Sequence, residues 1–146
     1  MILNTKHFGE IEIDDQKIIE FKEGIPGFEN IKKYTIITNP EKEVPFHWLQ
    51  AIDEPELTFV ITNPFLFKND YEFHIPDKVI EELNIEKEED LMIFTIVVIP
   101  DDMSKITMNT RAPLVINMKK KSGKQLLLDD EKYPLKYYLL EEEGAC

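Results

Sequence analysis

The sequence predicts an all-β domain, a compact antiparallel barrel or sandwich with one or two short helices. Three observations lead there. Short apolar and β-branched runs recur between turns marked by Gly, Pro, Asn and Asp. Several of these runs alternate apolar with polar residues, the period of a half-buried strand. Only the stretch from Asp77 to Asn84 changes to helical spacing. The 146 residues hold no linker, internal repeat or low-complexity tract, so a single domain is expected. With 42% hydrophobic and 32% charged residues, the composition is globular and sufficient for a core.

The elements follow in order. GEIEID, Gly9 to Asp14, turns Ile11 and Ile13 to one face and its acids to the other. Asp14 to Lys17 reads as a turn, and Ile18 to Phe21 as the next strand. In KEGIPGFEN, Gly24 and Gly27 flank Ile25-Pro26 and force a sharp backbone excursion. Tyr34 to Thr38 is a strand stopped by Asn39-Pro40. Phe46 to Ile52 is apolar on both faces, as in a central strand, with Trp48 expected to anchor the core and His47 on the less buried face. Asp53-Glu54-Pro55 makes the corner to an antiparallel neighbour, Thr58 to Thr62, which Asn63-Pro64 ends. Tyr71, Phe73 and Ile75 alternate like a strand. Asp77 is placed to cap a short helix in which Val79, Ile80 and Leu83 share a face, with Asn84 at its end. EKEED, Glu86 to Asp90, reads as a solvated helical turn or loop, and LMIFTIVVI, Leu91 to Ile99, as a buried strand stopped by Pro100. Ile106 to Met108 and Leu114 to Met118 are strands divided by Arg111-Ala112-Pro113. KKKSGK predicts a hairpin turn centred on Ser122-Gly123, with Gln125 to Leu128 returning. Tyr133 to Leu140 is a last apolar segment, strand or helix, before an acidic tail.

The charge narrows the partners. With 29 acidic and 17 basic residues, the net charge of −12 repels a phosphate backbone and favours partners with basic patches. Direct nucleic-acid binding is not expected. The single cysteine, Cys146, forms no internal disulfide and reads as incidental. No secretory signal opens the chain and no apolar run is long enough to span a bilayer, so a cytoplasmic location is expected.

Motifs for catalysis are missing. His7, His47 and His74 form no metal-ligand pair. GIPG lacks the lysine and hydroxyl of a phosphate loop, and Ser122-Gly123-Lys124 sits in a hairpin rather than ahead of a helix. The only serines, Ser104 and Ser122, lie outside any nucleophile elbow. The pairs Asp53-Glu54, Asp101-Asp102 and Asp129-Asp130 fall in turns, where acids cap backbone N–H groups or meet water. Neither an enzyme nor a cofactor is expected. Binding remains. Phe65 to Phe67 beside Asn69 to Glu72, and Pro100 to Met103 after the long strand, join apolar anchors to negative charge. That mixture fits a protein partner with a basic, partly apolar face. A generic β-barrel module for a peptide or small ligand is the alternative.

Several pieces taken together resemble the flagellar assembly factor family, FliW. They are F-x-E-G-I-P-G-F-E at Phe21 to Glu29, P-F-x-W-L-Q-A-x-D at Pro45 to Asp53, N-P-F at Asn63 to Phe65 and D-Y-E-F at Asp70 to Phe73. V-I-P-D-D at Val98 to Asp102, T-x-N-T-R-A-P-L-V-I-N at Thr107 to Asn117 and G-K-Q at Gly123 to Gln125 complete the set, in order over nearly the whole chain. The resemblance implies a compact, mostly antiparallel β-barrel-like domain and a non-enzymatic regulator in the bacterial cytoplasm. It implies two protein partners and no small-molecule substrate. One is the carbon storage regulator CsrA, an RNA-binding dimer that is stopped from repressing flagellin messenger RNA. The other is flagellin, which occupies the factor until it is exported. On this reading the candidate partner-binding residues are Asp70, Tyr71 and Glu72 together with Ile99, Pro100, Asp101 and Asp102.

Overall fold

The structure, a computed structural model, describes residues 2–5, 8–38, 41 and 44–140. His7, the Asn39-Pro40 stop and the acidic tail with Cys146 lie outside them. The strands in chain order are β1 (Ile2–Thr5), β2 (Gly9–Glu12), β3 (Ile19–Glu20), β4 (Lys33–Ile37), β5 (Phe46–Ala51) and β6 (Thr58–Thr62), then β7 (Leu91–Val98), β8 (Thr107–Met108), β9 (Leu114–Asn117), β10 (Ser122–Gln125) and β11 (Tyr137–Tyr138). One helix, α1 (Asp77–Glu82), lies between β6 and β7.

Seven strands close into a barrel in the order β3-β4-β5-β6-β7-β9-β10 and back to β3. Every pairing in the ring is antiparallel except β10 on β3, where Ser122 faces Glu20. Closure hides both edges that an open sheet of these strands would expose. The length of β7 lets it serve two neighbours along one side. Leu91 to Phe94 pair with β9, while Val97 and Val98 pair with β8. β8 in turn carries β11 at the outer edge. The β1–β2 hairpin packs separately, through Leu3, Ile11 and Ile13 on Ile18 and Ile52.

Period-two alternation fills the interior. Ile19 and Phe21, Tyr34 and Ile36, Leu49 and Ala51, Phe59 and Ile61, Phe94 and Ile96, and Leu114 and Ile116 form the main cluster. Phe21 is fully buried, and its ring meets Tyr34 edge-on at 5.4 Å. Gly123 comes so close that a Cβ there would lie 2.7 Å from Phe21 Cζ, so the strand passes only as glycine. The GIPG excursion follows directly. Gly24 (φ +70) and Gly27 (φ +93) take left-handed backbone, and Ile25 and Phe28 close the loop through an isolated bridge. Ile25 returns to the core.

Four sequence expectations are corrected. The stretch from Tyr71 to Ile75 joins no ladder, because α1 and the 3-10 turn at Pro64–Leu66 leave it on the outside of the barrel. Its alternation records packing instead, since Phe73 and Ile75 reach the cluster under α1 while Glu72 and His74 face water. Asp77 is not the helix cap. Pro76 occupies that position and Asp77 stands in the first turn, where a negative charge suits the helix dipole. The hairpin turn lies at Met118 to Lys121 rather than at Ser122-Gly123, which are strand residues. Asn117 explains the shift: its Oδ1 accepts the N–H groups of Lys119 and Lys120 and closes the turn early. Its Nδ2 donates to the carbonyls of Leu83 and Asn84, tying the end of α1 to the same turn. Finally, Trp48 is only half-buried, on the outside of the barrel against Phe8 at 4.8 Å, while His47 shares the inward row with Leu49 and Ala51.

Candidate protein-binding edge

Past the barrel ring, the end of β7 with β8 and β11 leaves apolar surface uncovered on the face opposite Val97, Met108 and Tyr137, which pack with Phe46, Val60 and Phe67. Val98 pairs with Thr107, and Thr107 with Tyr138, so the three side chains line up on one face. Val98 is 59% exposed and Tyr138 is also exposed, with Leu140 beyond it. The chain then leaves β7 through Ile99, Pro100, Asp101 and Asp102. Ile99 is 44% exposed, Asp101 and Asp102 face water, and Met103 stands open behind them. The loop is nonetheless built. Asp102 Oδ1 accepts the Ser104 hydroxyl at 2.7 Å and the Ser104 N–H at 3.1 Å. These two bonds, the hydroxyl first, hold the Asp102 carboxyl below the usual aspartate range. The result is a fixed anionic corner next to apolar side chains.

The second candidate segment divides. Asp70 is exposed and pairs with Lys68 at 2.8 Å, and that ammonium holds its carboxyl below the ordinary value. Lys68 also stands 5.9 Å from the Tyr137 ring, which links this loop to β11. Glu72 is exposed. Tyr71 is buried where the sequence predicts surface: it is 3% exposed, and burial pushes its phenol far above the ordinary value. Its hydroxyl donates to the Thr110 carbonyl at 2.7 Å, and its ring packs between Phe65, Phe73 and Tyr133.

Sequence reasoning missed the lock around that tyrosine. Thr110 Oγ1 donates to the Pro134 carbonyl at 2.6 Å, Arg111 Nε donates to the Tyr133 carbonyl at 2.8 Å, and the Tyr133 hydroxyl donates to the Glu72 carbonyl. The three segments around residues 71, 110 and 133 therefore hold one another. The T-x-N-T-R-A-P motif was the available signal, but nothing in it names Tyr133 as its partner.

β8 sets the spacing between the two candidate segments. The 99–102 loop re-enters the sheet just before Ile106, whereas Tyr71 is tied to Thr110. Four extended residues span roughly 13 Å. Asp101 and Asp102 thus stand near one end of the β8–β11 edge and Asp70 and Glu72 near the other, with exposed apolar side chains along it. Lys124, expected in the KKKSGK hairpin turn, instead lies between Glu23 (2.7 Å) and Glu82 (2.8 Å). Among the described residues, no group of three or more His, Cys, Asp or Glu side chains is placed to hold a metal, and no helix is long and apolar enough to cross a membrane.

Known proteins share this architecture. A family model described as FliW protein matches residues 2–139. The flagellar assembly factor FliW of Alkaliphilus metalliredigens is 59% identical over 142 residues, 97% of this chain and 88% of that one. The protein of the same name from Caldicellulosiruptor saccharolyticus is 48% identical over 140 residues, 96% of this chain and 91% of its own. A crystal structure of the flagellar assembly factor FliW superposes with a TM-score of 0.91 at 36% identity, covering 98% of this chain and 99% of that one. The closed barrel, the ordered motifs and these full-length matches agree, and the chain belongs to the FliW family.

Proposed function

We propose that this chain is a non-enzymatic flagellar assembly factor of the cytoplasm that binds CsrA, relieves its repression of flagellin messenger RNA, and exchanges it for flagellin. The family membership carries the reading. The β8–β11 edge supports it physically, since the fixed carboxylate of Asp102, the exposed acid Asp101 and exposed Val98, Ile99 and Tyr138 make a surface for a basic, partly apolar protein. Ile99, Pro100, Asp101, Asp102, Asp70 and Glu72 are the proposed contacts, and Tyr71 holds the last two in place. Two ligands that exclude each other shift each other's apparent affinity, which is all that the exchange requires. A protein of net charge −12 seated on an RNA-binding dimer also lowers the potential that attracts phosphate, so RNA is released without its site being covered.

Size-exclusion chromatography with light scattering, using CsrA and flagellin from the same organism, tests this. A stable complex with CsrA that flagellin dissolves is the expected result. No complex with either protein at low or moderate salt would leave the family fold without this function. RNA release that ignores salt and neutralised acids would remove the electrostatic part alone.

A further inference from the structure

Among the described residues one mouth of the barrel is open, and its lining differs in charge from the rest of the molecule. The inward rows of successive strands end there: Ile19 on β3, Ile36 on β4, His47 on β5, Met92 and Phe94 on β7, with Thr38, Asn63 and Met118 just past β4, β6 and β9. They line a cavity of 460 Å³, inside the range of about 300–1,000 Å³ that small-molecule sites occupy. Ile19 and Phe94 are buried at its floor, while Met92 is 40% exposed at its wall. Leu66, Lys17 and Lys121 complete the lining, and no carboxylate lines it among the described residues. Neither lysine forms an ion pair among the described residues. In a chain of net charge −12, two cations around an apolar hollow form a local reversal of sign.

Lys121 adds a second observation. It sits at φ 55, a left-handed conformation that glycine or asparagine adopts at less cost. Turn geometry alone gives no reason for a lysine there. Its ammonium donates to the Met118 carbonyl at 2.5 Å, which keeps the charge at the rim. Closed barrels of this size either fill their interior or hold one small ligand. Among the described residues the lower interior is filled and the mouth is not.

We propose that this mouth binds a small anionic amphiphile, with its apolar tail against Met92, Phe94 and Met118 and its anionic head at Lys17 and Lys121. The site goes beyond the partner exchange above and does not depend on it. Decanoate, 1-decanol and inorganic phosphate are suitable probes, read by NMR of isotope-labelled methionine methyl groups. Decanoate is expected to shift Met92 and Met118 and to leave Met103, on the far edge, in place. Decanol and phosphate are each expected to bind more weakly than decanoate. Lys17→Glu, which disturbs no hydrogen bond, should lower decanoate affinity at least about fivefold and leave decanol nearly unchanged, as loss of one charge contact implies. Lys121→Ala should act in the same direction, and if it fails to fold, Lys17→Glu decides. The proposal is overturned by no shift at Met92 and Met118 in millimolar decanoate, by acid and alcohol binding equally, by phosphate alone binding as well as decanoate, or by decanoate affinity that Lys17→Glu leaves intact.

Discussion

The barrel interior and the β8–β11 edge are made of similar residues and use them in opposite ways. Inside, Ile19, Phe21, Tyr34, Leu49 and Ile116 lose all contact with water, and a glycine gives up its side chain so that Phe21 fits. At the edge, Val98, Ile99, Met103 and Tyr138 stay exposed beside two acids, of which Asp102 is fixed by its hydrogen bonds with Ser104. Burial stabilises the first set. Nothing in the fold requires the second set to be apolar. The contrast separates scaffold from surface and supports the proposed placement of partner binding at that surface.

The largest expected effect lies in the scaffold. Phe21→Ala should cost about 3–5 kcal/mol, whereas Trp48→Ala, half-buried outside the barrel, should cost about 1–2 kcal/mol. Chemical denaturation of both variants checks the order, and a reversal would return Trp48 to the core. Gly24→Ala comes next. Its Cβ would lie 2.6 Å from the Glu29 backbone at φ +70, so a loss of at least about 2 kcal/mol is expected in the same measurement. Tyr71→Phe sharpens the comparison from the middle. It leaves the buried Thr110 carbonyl without its donor and should lower stability by about 1–3 kcal/mol while CsrA affinity of the folded protein holds.

The smallest effect on stability is a pH dependence. Lys124 holds the Glu23 carboxyl below its ordinary 4.5, through the direct hydrogen bond first and charge second. A lowered folded value contributes stability above the ordinary pKa and loses it as pH falls through the lowered one. The neighbouring acids also hold Lys124 above its ordinary 10.5, so its own contribution fades as pH rises through the raised value. Glu23 is largely exposed, which limits the effect to at most about 1 kcal/mol. Lys124→Met should flatten the loss of stability below pH 4.5. An unchanged acid limb in thermal melts would show the pair to be solvent-screened.

The same contrast explains what could be read from the sequence. Most strand positions, the GIPG excursion and the all-β class were legible, because period-two alternation and Gly or Pro turns are local signals, whereas β1 and the start of β10 were not read. Closure of the barrel was not, since the parallel contact of Ser122 with Glu20 joins segments a hundred residues apart. Trp48 was overvalued because a large aromatic residue predicts burial without saying on which side of the wall. The burial of Tyr71 was hidden for the opposite reason, because its acidic neighbours suggest surface while its hydroxyl partner lies at Thr110. The Ile99 to Asp102 loop was legible as an acidic, partly apolar turn, and the structure adds its rigidity and its place at the end of an exposed edge.

The central claim is that this edge, and not the barrel wall, captures CsrA. The most direct measurement is CsrA affinity of an Ile99→Asp, Asp101→Lys double variant, by calorimetry, alongside its denaturation midpoint. Stability within about 0.5 kcal/mol of the parent, as for exposed sites, with at least about a tenfold loss of CsrA affinity is the expected result. Full CsrA affinity in a normally folded double variant would contradict the claim and move the interface elsewhere on the barrel.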